Sequence, residues 1–442
     1  MDLQLLGIEN ANKCNYNGAE GEMEMQGQRH ILHIDANCYY ASVEMQENPA
    51  LRGKRIAVCG SKEDRHGIVL TASYPAKHMG VKTGMAIWQA QQCCRDLIIV
   101  PPHYSEYMRY SGYVREILQH YSDQIEAFGL DENWVDITGS VGLFGSPMTI
   151  AQEIIDRVKR ELGITVSIGV STNKITAKLG SDYKKPDAIT RIEADNYKEI
   201  VYPLPVQDLL YVGPATQRKL NEYGIRTIGQ LAETDPKVLA GWFGKVGYSL
   251  SSFARGTDHS PVCNQNYHAA VKSVGNSGTT PMNLVNDQDV WLMLVVMSES
   301  VAMRMRELGM KCTVVEVSVR DCDLSGFTRQ RKIDTPTNGG LEIARIAFDL
   351  FRRTYRWGKP LRGVGVRGAS LVPQDCPIQL GFFSGEEKRE RMERIDKAVD
   401  TLRQRYGYTA VQRAVLYTDR GLGTINPKDD HTVHPVGFFN AG

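Results

Sequence analysis

The stretch His30-Ile31-Leu32-His33-Ile34-Asp35 reads as a short apolar strand ending on a carboxylate, and the rest of the chain is organised around it. A second strand, Ile125-Glu126-Ala127-Phe128, meets Val135-Asp136-Ile137 across a short bend expected to hold Asp131 and Glu132, which is hairpin chemistry. Acidic side chains at strand ends, far apart in sequence, are what a pair of magnesium ions needs to grip a triphosphate and a sugar hydroxyl together. A strand-terminal aspartate is common for turn reasons alone, so the weight lies in what accompanies these three. Thr71-Ala72-Ser73-Tyr74-Pro75-Ala76-Lys77 offers hydroxyls and a cation that one helical turn can aim at phosphates. Lys184-Lys185-Pro186 supplies a second cation after a helix that begins past Thr172 and is stopped by the proline.

Outward from these motifs, the first half alternates strand and helix. Cys38 to Met45 reads as a helix, Arg55 to Cys59 as a strand, 105–122 and 149–162 as helices, and Thr165 to Val170 as a buried β-branched strand. Between Tyr202 and Pro261 the pattern changes to short helices joined by glycine turns. Gly213-Pro214-Ala215 opens one of these helices with proline in its first turn, Gly224 closes it, and Thr227 can cap the next. The exposed N–H groups at Gly213 and Ala215 suit a DNA phosphate without reading bases. From His268 to Val372 the order is strand 268–274, helix 287–308, strand 312–320, strand 327–333, helix 339–356 and strand 362–371. That is a split β-α-β-β-α-β sheet with two helices on one face.

Composition narrows the partners. The 442 residues are too many for one core and suggest about three units. Net charge is only +1, yet residues 300–370 hold 14 Lys/Arg against 7 Asp/Glu. Arg329, Arg331 and Lys332 lie on one strand of that basic segment and Arg362 and Arg367 on another. Alternation puts 329 and 331 on one face, and a sheet face carrying arginines suits a phosphate backbone. Nine cysteines without C-x-x-C spacing disfavour a disulfide framework or a zinc site and fit a reducing cytosol. The longest apolar run, Val290 to Met297, falls short of the roughly 20 residues of a membrane span. Residues 1–29 lack any basic-then-apolar leader pattern and are expected to be a flexible lead-in.

Five runs, in this order, resemble the Y-family translesion DNA polymerases, and most closely the bacterial polymerase IV type. They are His33-Ile34-Asp35-Ala36-Asn37-Cys38-Tyr39-Tyr40-Ala41-Ser42-Val43-Glu44, Gly67-Ile68-Val69-Leu70-Thr71-Ala72-Ser73-Tyr74, Gly80-Val81-Lys82-Thr83-Gly84-Met85, Leu130-Asp131-Glu132 and Ser167-Ile168-Gly169-Val170-Ser171-Thr172-Asn173-Lys174. The resemblance implies an α+β multidomain fold of the right-hand type. Residues 30–200 would be the palm, with fingers inserted at about 51–100, 201–263 a helical thumb, 268–373 the little finger, and 374–442 a tail. It also implies an error-prone DNA-templated DNA polymerase without proofreading that adds deoxynucleotides opposite damaged template.

Position by position, the resemblance makes Asp35, Asp131, Glu132 and the carbonyl of Ala36 ligands of two Mg2+ ions. Thr71, Tyr74, Lys77 and Lys185 would hold the triphosphate, and Tyr40 would be the steric gate against a ribose 2′-hydroxyl. Asn37 stands where many members have Asp, Lys77 where Arg is more usual, and Gly129, Asn133 and Trp134 flank the acidic pair with uncommon side chains. Gln379-Leu380-Gly381-Phe382-Phe383 resembles the motif that binds the bacterial β sliding clamp. The implied protein is a cytoplasmic monomer working on primer-template DNA, away from membranes. The competing reading is a clamp-tethered DNA-binding factor with little turnover.

Overall fold

The structure is a computed structural model that describes residues 28–61, 67–267, 270–377, 386–423 and 425. Apart from the segment between Cys59 and Val69, the described residues up to 267 belong to one compact unit and those from 270 to a second.

In the first unit, β1 (Ile31–Ala36) is followed by α1 (Tyr39–Glu47), β2 (Ile56–Cys59), β3 (Val69–Ala72), α2 (Tyr74–His78), α3 (Ile87–Cys93), β4 (Ile98–Val100) and α4 (Tyr104–Gln119). Then come β5 (Ile125–Phe128), β6 (Glu132–Asp136), α5 (Val141–Phe144), α6 (Pro147–Leu162), β7 (Val166–Ser171), α7 (Lys174–Tyr183) and β8 (Ile189–Arg191). Strand β1 lies at the centre of a five-stranded sheet ordered β5-β6-β1-β7-β8 and runs antiparallel to both neighbours. Its side chains are buried from end to end, as expected of a strand covered on both faces. The expectation for Glu132 needs correcting: it is not in the bend but opens β6, paired with Phe128 across the hairpin and with Asp35 across the sheet. The turn is Gly129-Leu130-Asp131, with Gly129 at a positive φ of 86° that only glycine adopts freely.

Residues 56–100 build a separate sheet ordered β3-β2-β4. Small side chains such as Ala57, Ala72, Ala76 and Ala90 fill its core. Helices α8 (Tyr197–Val201), α9 (Pro214–Glu222), α10 (Ile228–Glu233), α11 (Pro236–Phe243) and α12 (Lys245–Ala254) pack around Val201, Leu220, Leu231 and Leu250. Thr227 caps α10 through the Gln230 N–H, and the Gln230 side chain returns the bond, a reciprocal capping box.

The second unit contains β9 (Ser273–Leu284), α13 (Asp287–Glu307), β10 (Met310–Asp321), β11 (Gly326–Thr337), α14 (Gly340–Thr354) and β12 (Leu361–Pro373), in an antiparallel sheet ordered β11-β10-β12-β9. The β-α-β-β-α-β order is therefore observed, but the first strand is displaced from 268–274 to 273–284. Gly275, Asn276 and Gly278 disguise it in sequence, because strand propensity is low there and the pairing with β12 supplies the stability instead. The sequence leads one to expect a charged helix over 386–406, but not that it docks on this unit. Helix α15 (Glu386–Tyr406) and the one-turn α16 (Arg420–Gly423) follow β12, and Leu416 and Leu422 join the same core as Val295 and Phe351. Glu299, buried on α13, receives Arg403 at 3.0 Å and Arg413 at 2.5 Å, and Asp400 receives Arg306 at 2.5 Å.

Glycines set how closely α7 seats on the first sheet. A Cβ on Gly169 would stand 1.8 Å from the Ala177 carbonyl oxygen, and one on Gly180 would be 3.0 Å from the Gly169 Cα. A Gly169→Ala variant must push the helix backbone away, at a cost on the order of 1–3 kcal/mol. Chemical denaturation is expected to show that loss, and an unchanged midpoint would mean that the helix is free to shift.

Candidate active site

The close approach at Gly169 brings one face of α7 to the end of β1. Residues 178, 182 and 185 follow one another at i, i+4 and i+7, so a single helical stripe carries Lys178 and Asp182 and delivers Lys185 just past the last turn. Lys185 Nζ lies 2.7 Å from Asp35 Oδ2 and 2.8 Å from Asp182 Oδ1. Lys178 Nζ lies 2.5 Å from Glu132 Oε2, 3.4 Å from Asp182 Oδ2 and 3.9 Å from Asp35 Oδ2. Lys178 thus spans two of the three expected carboxylates. No motif pointed to it; the only signal available was its helical spacing from Lys185.

Asp131 is fixed through its backbone, whose carbonyl accepts the Ala36 N–H at 3.0 Å. Three acids in one buried place repel one another. Burial, then the Glu132 and Asp35 charges, push the Asp131 carboxyl up to about 7. Burial and Glu132 lift Asp35 to about 6 against the pull of Lys185 and Lys178. Burial would raise Glu132 as well, but the contacts from His33 and Lys178 outweigh it and hold this carboxyl down at about 2. Among the described residues, no three acidic, histidine or cysteine side chains are set to hold a metal ion as they stand. Asp35 is turned toward Lys185 and Glu132 toward Lys178.

The uncommon neighbours have visible duties. Asn37 is buried; its Oδ1 accepts Ser167 Oγ at 3.0 Å and the Tyr74 hydroxyl at 3.3 Å, while its Nδ2 donates to Thr165 Oγ1 at 3.1 Å. A neutral amide there ties α2 to the main sheet without adding a fourth negative charge. Trp134 donates Nε1–H to the Lys174 carbonyl at 2.9 Å, and its ring lies 4.6 Å from the Lys174 ammonium, which is itself paired with Glu126 at 2.6 Å. Asn133 points to the opposite face from Glu132 and Trp134, where its Oδ1 is buried without a partner. Nothing in its surroundings explains that choice of side chain.

Around this centre, Tyr40 stacks on Tyr107 with ring centroids 4.3 Å apart and planes 11° from parallel. Tyr107 in turn donates its hydroxyl to Glu44, which also binds His103 at 2.9 Å. Sequence reading singled out Tyr40 and missed the aromatic that holds it. Thr71 is half-buried on β3, and exposed Lys77 sits on α2 with its ammonium 5.1 Å from the Tyr74 ring.

Gly213 and Ala215 are exposed at the start of α9. A Cβ on Gly213 would meet nothing within 4 Å, so the fold itself does not require glycine there. In the second unit, Arg329 and Arg331 share a face as expected, but it is the face toward the helices. They stand opposite buried Val317 and Val315, and Arg331 pairs with Asp349 of α14 at 2.8 Å. Lys332 and Arg367 are on the other face, opposite Val314 and Glu316, with Arg367 3.6 Å from Glu316. Alternation fixed which residues go together but not which side the helices cover. Arg362 lies half-buried in β12. The clamp-motif residues Gln379, Leu380, Phe382 and Phe383 lie outside the described residues.

Comparison with known proteins is consistent from end to end. The impB/mucB/samB family matches residues 34–182 and its C-terminal domain matches residues 271–381. DNA polymerase IV of Acetivibrio thermocellus is 47% identical over 397 residues, covering 90% of this chain and 100% of that protein. DNA polymerase IV of Moorella thermoacetica is 36% identical over 393 residues, covering 89% and 97%. Among solved structures, a Y-family DNA polymerase chimera superposes with a TM-score of 0.68 at 25% identity, over 78% of this chain and 99% of that one. No helix among the described residues is long and apolar enough to cross a membrane.

The charge crowding makes a measurable prediction. The folded chain keeps the Asp131 proton up to about 7, whereas the ordinary value is 3.8, so folding takes up a proton across that window and stability falls as pH rises through it. Metal-free Asp131→Asn protein is therefore expected to melt with wild type near pH 4 and above it by pH 7.5, by at most about 4 kcal/mol. A difference in melting temperature that does not vary with pH would contradict this assignment of strain.

Proposed function

The chain belongs to the Y-family DNA polymerases of the bacterial DNA polymerase IV type, and we propose that Asp35, Asp131 and Glu132 are the carboxylates through which it performs nucleotidyl transfer. It is a DNA-directed DNA polymerase of the translesion class, acts on DNA and nucleotides, and depends on divalent metal. The ion we assign is Mg2+, in two copies. The donor set fits: carboxylate oxygens with the Ala36 carbonyl form an all-oxygen environment of the kind a hard cation takes. The unrelieved repulsion at Asp35 and Asp131 is what divalent charge would remove. When bound, such ions lower the pKa of the primer 3′-hydroxyl and neutralise charge on the leaving pyrophosphate.

The observation that supports this reading best is the register. Asp35 and Glu132 are direct partners on adjacent antiparallel strands, and the carbonyl of Asp131 holds the Ala36 N–H that ends β1. Lys185, now paired with Asp35, is the cation that passes to the triphosphate, joined by Lys77 and by the hydroxyls of Thr71 and Tyr74. Tyr40, held flat against Tyr107, fills the space a ribose 2′-hydroxyl would need. Gly213 and Ala215 present backbone to the DNA phosphates. Lys332, Arg362 and Arg367 serve the template duplex on the open side of the second unit's sheet, and Arg329 and Arg331, on the helix-covered face, are left out of that contact. Gln379, Leu380, Phe382 and Phe383 dock a monomer of this enzyme on the β sliding clamp in the bacterial cytoplasm.

Primer extension across an abasic template site with Mg2+ is expected for wild type and absent for Asp131→Ala, while Tyr40→Ala incorporates ribonucleotides more readily. Normal extension by Asp131→Ala would remove the ligand assignment, and unchanged sugar selectivity would remove the gate. Replacing Gln379 and Phe383 by Ala is expected to abolish pull-down by purified clamp and spare extension on short substrates; retained pull-down would refute the docking motif.

A further inference from the structure

His33 is fully buried on β1, two residues before Asp35, and the polymerase chemistry described so far has no use for it. Its side chain points to the same face as Asp35, toward α7. There Nδ1 lies 2.8 Å from Ser181 Oγ, and Nε2 lies 3.2 Å from Glu132 Oε2. The ring edge rests on Trp134, with centroids 5.1 Å apart. Burying an imidazole in a place that an apolar side chain could fill costs free energy unless its nitrogens are used. Among the described residues Nε2 has no partner besides that carboxylate, and the contact lacks the alignment of a full hydrogen bond.

We infer that His33 is a positioning residue for nucleotidyl transfer: with Lys178 it fixes the Oε2 oxygen of Glu132 and leaves Oε1 as the oxygen offered to a metal ion.

The proton arrangement follows from the contacts. A ring protonated only on Nδ1 would turn the Nε2 lone pair toward a carboxylate oxygen, which is repulsive. The carboxylate therefore selects the tautomer with hydrogen on Nε2, and Nδ1 must accept. Ser181 is within reach: its hydroxyl lies 2.8 Å from Nδ1 and donates to the Lys178 carbonyl at 2.8 Å, and with one hydrogen it donates to the ring in this tautomer only by turning away from that carbonyl. Lys178 Nζ meets the same Oε2 at 2.5 Å, and no bond to Oε1 is made among the described residues. A ligating carboxylate oriented by a second hydrogen-bonded group is a general device of metal sites, and loss of such a group typically costs 10- to 100-fold in metal affinity or activity. Ser181 and Lys178 both come from α7, so the seating of that helix on Gly169 sets the orientation of Glu132.

The inference rests on the ligand set proposed above, and the experiment separates the two. Mn2+ is titrated, with detection by electron paramagnetic resonance, into full-length protein holding a dideoxy-terminated primer-template and the next deoxynucleotide, so that nothing turns over. His33→Leu, which keeps the bulk but has no donor, is expected to weaken Mn2+ binding about 10-fold. It should also lower kcat for extension more than the KM for primer-template. His33→Gln, whose amide can present a donor toward Glu132, recovers most of both. Ser181→Ala leaves the imidazole in place but frees its tautomer, is expected to give an intermediate loss, and carries the test if His33→Leu does not fold. Wild-type Mn2+ affinity and kcat in these variants, with only the melting temperature lowered, would overturn the inference and reduce His33 to packing. Asp131→Ala in the same titration tests the ligand set itself: if it binds Mn2+ as wild type does, the proposed site falls, whatever the His33 variants do.

Discussion

Everything in the first unit answers to one electrostatic demand: three carboxylates are held together in a place largely closed to water, with lysines from a single helix to balance them. The chain does not relieve the crowding by spreading the acids apart. It fixes Asp35 and Glu132 side by side through strand register and Asp131 through its backbone, then brings Lys178 of α7 and Lys185, just past the end of that helix, against them. Two positive charges set against three negative ones, with Asp182 adding a fourth, leave the cluster short of cations. That deficit is costly to the folded chain and useful to an enzyme whose substrate arrives with metal. Site and stability pull in opposite directions here, as is common where pKa values are strongly perturbed.

Much of this was legible in the sequence because the signals were local. A continuous apolar strand ending in Asp35, an acidic pair in a hairpin and a proline-stopped lysine pair each announce themselves within a few residues. The β-α-β-β-α-β order and the capped helices at Pro214 and Thr227 were readable for the same reason, since turn glycines and helix caps act at short range. What was not legible depends on contacts between distant residues. The ring that steadies Tyr40 comes from 67 positions later, Lys178 carries no motif of its own, and His33 looks like one more residue of an apolar strand. Alternation told that Arg329 and Arg331 point the same way. Only the packing of α14, through Asp349, tells which way that is.

The tail shows the same limit from the opposite side. Residues 386–406 read from the sequence as a charged helix, yet three of its acids find partners in the fold. Glu393, Asp396 and Asp400 meet Lys311, Arg413 and Arg306, while Arg403 reaches back to Glu299 beneath them. Such a layer is held by geometry as much as by energy. Buried ion pairs add little over apolar packing, but removal of one partner leaves an uncompensated charge and is strongly destabilising. An apolar moment cannot reveal a helix that docks through its charges.

The stripe of α7 has an evolutionary corollary. Lys178, Asp182 and Lys185 are useful only because each stands about one turn from the next, and each added helical residue rotates everything beyond it by about 100°. A single-residue insertion or deletion between 178 and 185 would swing one lysine away from the carboxylates while leaving the other in place. Length variation in lineages of this polymerase must therefore collect elsewhere, in the turns between elements, and the spacing of this one helix should be invariant even where its letters drift.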